Sequence, residues 1–193
     1  MKIKSILAFS LALVLSVSAM AGCTKKTAGD GESSTPPSSE TPKKAATGML
    51  KTVHEDVKKI FGEEYIPSQA FDETYLQEQF GITKDMVKEV IAEGPMMSMH
   101  VDTFVGIEAA EGKVDEVEKK LNDYRQKLID ESMQYPMNMP KIKASAVTKV
   151  DDYVFFTILG KYADDIEEEN AQLKHFEAET KKVKDAINSA LKK

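Results

Sequence analysis

Between residues 98 and 159 the apolar side chains change period three times, and that change sets the fold class. Met99, Val101, Thr103, Val105 and Ile107 alternate with Ser98, His100, Asp102, Phe104 and Glu108, the pattern of a half-buried strand. Val114, Val117, Leu121, Tyr124 and Leu128 then return to helical spacing, which predicts a helix over 114–131. Ile142, Ala144, Ala146 and Thr148 alternate again. Tyr153 to Leu159 is almost wholly apolar or aromatic, as expected of a central strand covered on both faces. A hairpin turning at Asp151-Asp152 would join these last two strands.

The residues before this region read as helices. Met49, Leu50, Val53, Val57, Ile60 and Phe61 make one apolar stripe over 47–61, ended by Gly62. Asp72 is a suitable N-cap for a short helix over 72–80, with Gly81 as its stop. Thr83 would cap a further helix over 84–92, with Met86, Val87, Val90 and Ile91 facing inward. The expected fold is α+β: a small antiparallel sheet of about three strands packed with helices, and a long C-terminal helix over 164–193. In that last helix Ile166, Leu173, Phe176, Val183, Ile187 and Leu191 fall near a heptad-like seam, interrupted by Glu169 and Thr180. The seam suits packing on its own domain or self-association through 164–193.

The N-terminus is of a different character. Met1-Lys2-Ile3-Lys4 is basic, Ile6 to Val17 is uncharged and apolar, and Ala19-Met20-Ala21-Gly22 leads into Cys23, the only cysteine of the chain. Ala21, Gly22 and Cys23 resemble the bacterial lipoprotein signal, with Met20 where leucine is usual. The resemblance implies cleavage between Gly22 and Cys23 and transfer of a diacylglycerol to the cysteine sulfur, with palmitate-type acyl chains holding the protein in membrane lipid. The alternative is ordinary cleavage after Ala19-Met20-Ala21, which would release a chain that begins at Gly22 with a free thiol one residue later. Lipidation is the expectation, because a lone cysteine has no intramolecular partner. The expected location is the extracytoplasmic face of the cell membrane.

Residues 24–47 are Lys, Ser, Thr, Pro, Gly, Ala, Asp and Glu, with no large apolar side chain, and are expected to be a disordered tether. Such a coil reaches roughly 25–30 Å. The expected division is a signal over 1–22, lipidated cysteine and tether over 23–47, and one α+β domain over 48–193. The whole chain carries a net charge of −6. Without Lys2 and Lys4 it carries −8, and residues 48–193 alone carry −9. An acidic domain argues against nucleic-acid partners and against docking on anionic lipid.

Residues 49–159 are similar to a family of small Gram-positive lipoproteins classed as a domain of unknown function. The resembling pieces are Pro95-Met96-Met97-Ser98, Thr103-Phe104-Val105-Gly106-Ile107-Glu108-Ala109, the helix with Leu121, Tyr124 and Arg125, Tyr135-Pro136, and Tyr153-Val154-Phe155-Phe156. The resemblance implies location and domain extent. It brings no catalytic residues.

Candidates for chemistry are few. His54, His100 and His175 lack ligand spacing, no serine lies in Gly-x-Ser-x-Gly, and there is no glycine-rich phosphate loop, so no cofactor is expected. Six methionines lie between 96 and 139: Met96, Met97, Met99, Met133, Met137 and Met139. Met96, Met97 and Met99, with His100 beside them, are weak candidates for Cu(I), which takes soft thioether ligands. The preferred reading places Met99 on the apolar face of a strand and Met96 and Met97 in core gaps. The acidic clusters at 151–152 and 164–169 lack the spacing of a calcium loop, and the second suits a helix start. The leading expectation is a non-catalytic binding or accessory module of the envelope, with a possible envelope protein as partner. The alternatives are an envelope hydrolase using a carboxylate pair such as Asp102 with Glu108, and a small-ligand or metal-binding lipoprotein.

Overall fold

Two adjacent strands with large apolar side chains on both faces organise the domain. They lie in a computed structural model that describes residues 48–131, 133–162 and 165–192. The signal, Gly22, Cys23 and the tether fall outside those residues. β3 (Thr103–Ala109) and β5 (Tyr153–Ile158) pair antiparallel from Thr103↔Ile158 to Glu108↔Tyr153. On one face Phe104 and Phe155 are fully buried, and on the other Val105, Ile107, Val154 and Phe156 are. Each face therefore needs its own cover of helices.

The first cover is α1 (Met49–Phe61) with α5 (Glu169–Leu191). Leu50, Val53, Val57 and Phe61 of α1 meet Val183, Ile187 and Ala190 of α5 at or near Phe104 and Phe155. The stripe on the C-terminal helix thus packs on its own domain. Thr180, which breaks the apolar seam, is also buried, and its hydroxyl donates to the Ala144 carbonyl at 2.8 Å. α5 starts at Glu169 rather than 164, because Glu168 is the N-cap: its carboxylate accepts from the Asn170 and Ala171 amides at 3.1 and 2.7 Å. The acidic run thus serves the helix start.

The second cover is α2 (Glu73–Phe80) with α3 (Val114–Glu131), whose Leu76, Phe80, Val117 and Leu121 pack on Val105, Ile107 and Phe156. Both ends of α2 are where the capping residues put them. Asp72 accepts from the Tyr75 amide at 2.7 Å, and Gly81 takes the left-handed conformation (φ 68°) that glycine adopts without a Cβ clash. The short helix α4 (Met139–Lys143) bridges α3 and α5, and β4 (Ala146–Val150) follows it.

The sheet has five strands, not about three, in the order β1-β2-β3-β5-β4. β1 (Gln69–Ala70) is a two-residue edge strand, too short and polar to leave a pattern. The larger correction concerns 84–92, expected as a helix. Only Lys84–Met86 forms a 3₁₀ turn, and β2 (Val87–Gly94) follows, paired with β1 on one side and β3 on the other. Val87, Val90 and Ile91 are β-branched, which suits a strand. Val90 and Ile91 enter opposite cores, a use that one helical face cannot make of them.

Other expectations shift by smaller amounts. The middle strand is β3, which is covered on both faces rather than half-buried, and β5 lies beside it. β3 begins at Thr103, so Met99 is not on a strand, and Met96, Met97 and Met99 are 78, 58 and 51% exposed rather than in the core. Residues 139–143 are helical, and the alternating strand begins only at Ala146. The hairpin turns at Asp151-Asp152 as expected, with Asp151 at φ 51°.

Gly94 sits where β2 meets the edge strand, and a Cβ there would lie 2.3 Å from the Phe71 ring. Gly94→Ala is expected to lower stability by about 1–3 kcal/mol, as overpacking does, measured by chemical denaturation. A variant as stable as the parent would show that Phe71 moves freely.

Candidate functional site

At the end of the sheet where β1 stops and β3 starts, an open cleft of about 350 Å³ is lined from several elements. Phe71 and Tyr75 form one wall, stacked with ring centres 4.2 Å apart and planes 21° apart. Tyr124 and Leu128 of α3 form another, and Gln69, Ser98, His100 and Gln134 bring polar groups to it. Asp72 also lines it, with its carboxylate engaged on the Tyr75 amide. Burial raises the Tyr75 phenol above its ordinary pKa and pushes that of Tyr124 up to about 12, with Tyr75 a smaller cause. Both phenols therefore keep their protons at neutral pH and can donate hydrogen bonds. Concave, partly aromatic surface with a few placed polar groups is the usual form of a small-ligand site.

Beneath this end of the sheet lies a buried ion pair that the sequence did not point to. Lys141 of α4 donates to Asp102 at 2.5 Å, and both side chains are about 1% exposed or less. The Lys141 ammonium also stands 4.0 Å from the Tyr162 ring centre and 5.5 Å from that of Phe176. Burial pushes the Asp102 carboxyl up and the Lys141 ammonium down, each opposed by the charge of the other. Removing one partner of such a pair costs roughly 3–5 kcal/mol, since the other is left buried and unpaired. Asn138 extends the network: it donates to the Met99 carbonyl at 2.9 Å and accepts from the Tyr162 hydroxyl at 3.1 Å. Nδ1 of His100 is buried without a hydrogen-bond partner among the described residues.

A carboxylate pair of Asp102 with Glu108 does not form. The two flank opposite ends of β3, roughly 20 Å apart along the strand. Asp102 is committed to Lys141, and Glu108 lies 3.6 Å from Lys88. Among the described residues no three His, Cys, Asp or Glu side chains converge on a point where a metal could sit. The resembling residues take up structural and cleft roles. Tyr124 lines the cleft, and Arg125 donates to the Ser145 and Lys143 carbonyls at 2.8 and 3.0 Å, tying α3 to the end of α4.

On the α1 face, His54, Glu93 and Tyr65 form a second polar cluster, drawn from three separate segments. His54 Nε2 lies 2.7 Å from Glu93 and 3.3 Å from the Tyr65 hydroxyl, with the His54 ring tilted on Phe104. Burial alone would raise the Glu93 carboxyl. Hydrogen bonds from His54 and Tyr65, with the charges of His54 and Lys58, outweigh it and hold that carboxyl below its ordinary range. A carboxyl depressed in the folded state stabilises the protein above the unfolded pKa, about 4.3, and loses that contribution as pH falls through the folded value. Thermal melts across acid pH are therefore expected to show less acid-side loss in Glu93→Gln than in the parent. Identical slopes would show that Glu93 has no coupled partner.

Residues 49–159 match DUF4358, a domain of unknown function. No curated protein and no solved structure matches the chain. The matched stretch runs from the start of α1 to just past β5 and leaves out α5, the helix that completes one core. It covers more than half of the 193 residues, and the chain belongs to the DUF4358 family.

Proposed function

We propose that this protein is a lipoprotein anchored at Cys23 on the extracytoplasmic face of the membrane, and that its domain is a binding module of the envelope. The anchor rests on the basic, apolar and small-residue order that runs into Cys23. No helix among the described residues is long and apolar enough to cross a membrane.

The observation that carries the binding role is the cleft. Its stacked Phe71–Tyr75 wall, the protonated Tyr124 and the amides of Gln69 and Gln134 suit an uncharged polar ligand or an extended peptide segment. A hydrolase reading is disfavoured by the separation of Asp102 from Glu108 and by the ion pair that occupies Asp102.

Two experiments test these statements. Cys23→Ala is expected to move the protein from the membrane fraction to the soluble fraction, and mass spectrometry of the mature parent is expected to find a lipid-modified Cys23 at its N-terminus. A mature peptide that starts at unmodified Gly22 would overturn the anchor. Recovery from solubilised envelopes with the intact protein as bait is expected to yield a component that Tyr75→Ala loses by roughly tenfold or more, a loss of about 1.4 kcal/mol. Equal recovery by both proteins would rule the cleft out as its seat.

A further inference from the structure

The exposed apolar side chains of this domain are mostly methionines, and they gather on two loops. Met96, Met97 and Met99 lie between β2 and β3, and Met133 and Met137 lie between α3 and α4, all 51% exposed or more. Methionine is usually an inside residue, so five in the open call for an explanation. Core filling, the expected use of Met96, Met97 and Met99, is not theirs.

The fold brings the two loops together. The Asn138 amide donates to the Met99 carbonyl at 2.9 Å, and Met137 is the next residue along from Asn138. The first loop is itself folded back, with the His100 amide donating to the Met97 carbonyl at 3.1 Å. Ser98 of one loop and Gln134 of the other line the same cleft. A methionine sulfur stands roughly 4 Å from its Cα, so side chains whose Cα atoms are up to about 12 Å apart can meet on one ion. One residue and one hydrogen bond separate Met99 from Met137, which is within that reach.

The composition of the loops selects the ion. Residues 94–101 and 132–140 contain no Asp, Glu, Lys or Arg, in a chain in which 30% of residues are charged. Hard cations such as calcium and magnesium take oxygen ligands, and neither loop carries a carboxylate, while Asp72 of the cleft is engaged on the Tyr75 amide. Thioethers are soft, polarisable donors that suit Cu(I). Methionine-rich surfaces also take up apolar protein segments, and the Cu(I) titration below separates the two uses. Here the large apolar exposed residues are methionines with Tyr135 beside them.

We propose that Met99 and Met137, with one or two further sulfurs from Met96, Met97 and Met133, form a thioether site of three or four ligands for one Cu(I) ion at the rim of the cleft. The site uses other side chains than the aromatic wall and does not depend on the cleft having a ligand. Taken with the extracytoplasmic location proposed above, on which this last step rests, the site would let the module hold or pass on reduced copper.

The test is an anaerobic titration of the full chain with Cu(I) against a chromophoric Cu(I) chelator, with Zn(II) in a parallel arm. One Cu(I) per chain is expected, and no Zn(II) at these loops. Met96→Leu/Met97→Leu/Met99→Leu and, separately, Met133→Leu/Met137→Leu should each weaken Cu(I) by roughly tenfold or more. X-ray absorption of the loaded parent should show sulfur neighbours that both variants lose. Leucine keeps the size and apolar character of each side chain, and these positions are exposed, so the melting temperature should be unchanged. No Cu(I) retained against the chelator overturns the proposal. Cu(I) retained equally by both variants also overturns it, as does a Met-independent apolar partner that binds both variants as well as the parent while Cu(I) does not bind.

Discussion

The β3–β5 ladder is the constraint on which the rest of the structure depends. Six consecutive residue pairs, from Thr103↔Ile158 to Glu108↔Tyr153, join strands whose apolar side chains point both ways. Phe104 and Phe155 on one face, and Val105, Ile107, Val154 and Phe156 on the other, cannot be hidden by a single layer. Each fully buried side chain of this size contributes about 1.5–3 kcal/mol relative to exposure, so leaving either face open would cost more than a domain of this size has to spare. Helices therefore stand on both sides. α5 is one of them even though the family match ends before it.

The polar chemistry of the domain collects at the ends of this ladder, where the apolar rows run out. Asp102 precedes β3 by one residue and meets Lys141 of α4, which fixes α4 against the start of the strand. Asn138 then holds the loop between β2 and β3 through Met99. The cleft lies above this arrangement, and its Phe71–Tyr75 wall is set by the edge strand and by the closeness of Gly94 to Phe71. The same contacts that close the fold therefore shape the candidate site and its methionine rim.

Much of this architecture was legible in the residues. The helices at 49–61, 73–80 and 114–131, the hairpin at Asp151-Asp152 and the two-sided burial of Tyr153–Ile158 follow from local period and capping. Residues 84–92 misled because Met86, Val87, Val90 and Ile91 fit a helical face as well as two faces of a strand. Neighbouring strands decided between them. Lys141 carried no sign of its burial, since its partner is 39 residues away. The His54–Glu93–Tyr65 cluster was equally hidden, being assembled from a helix, a strand and a loop.

What the sequence determined by itself was the α+β class, most element types, the family resemblance and the order of residues that leads into Cys23. Each of these rests on chemistry within a few positions along the chain: hydrophobic period, caps and turns. The tertiary structure alone decided the number and order of strands, the pairing of Asp102 with Lys141, the separation of Asp102 from Glu108 and the exposure of Met96, Met97 and Met99. Those depend on which distant segments share a face of the sheet. No local pattern encodes that, because it is settled by packing two cores at once.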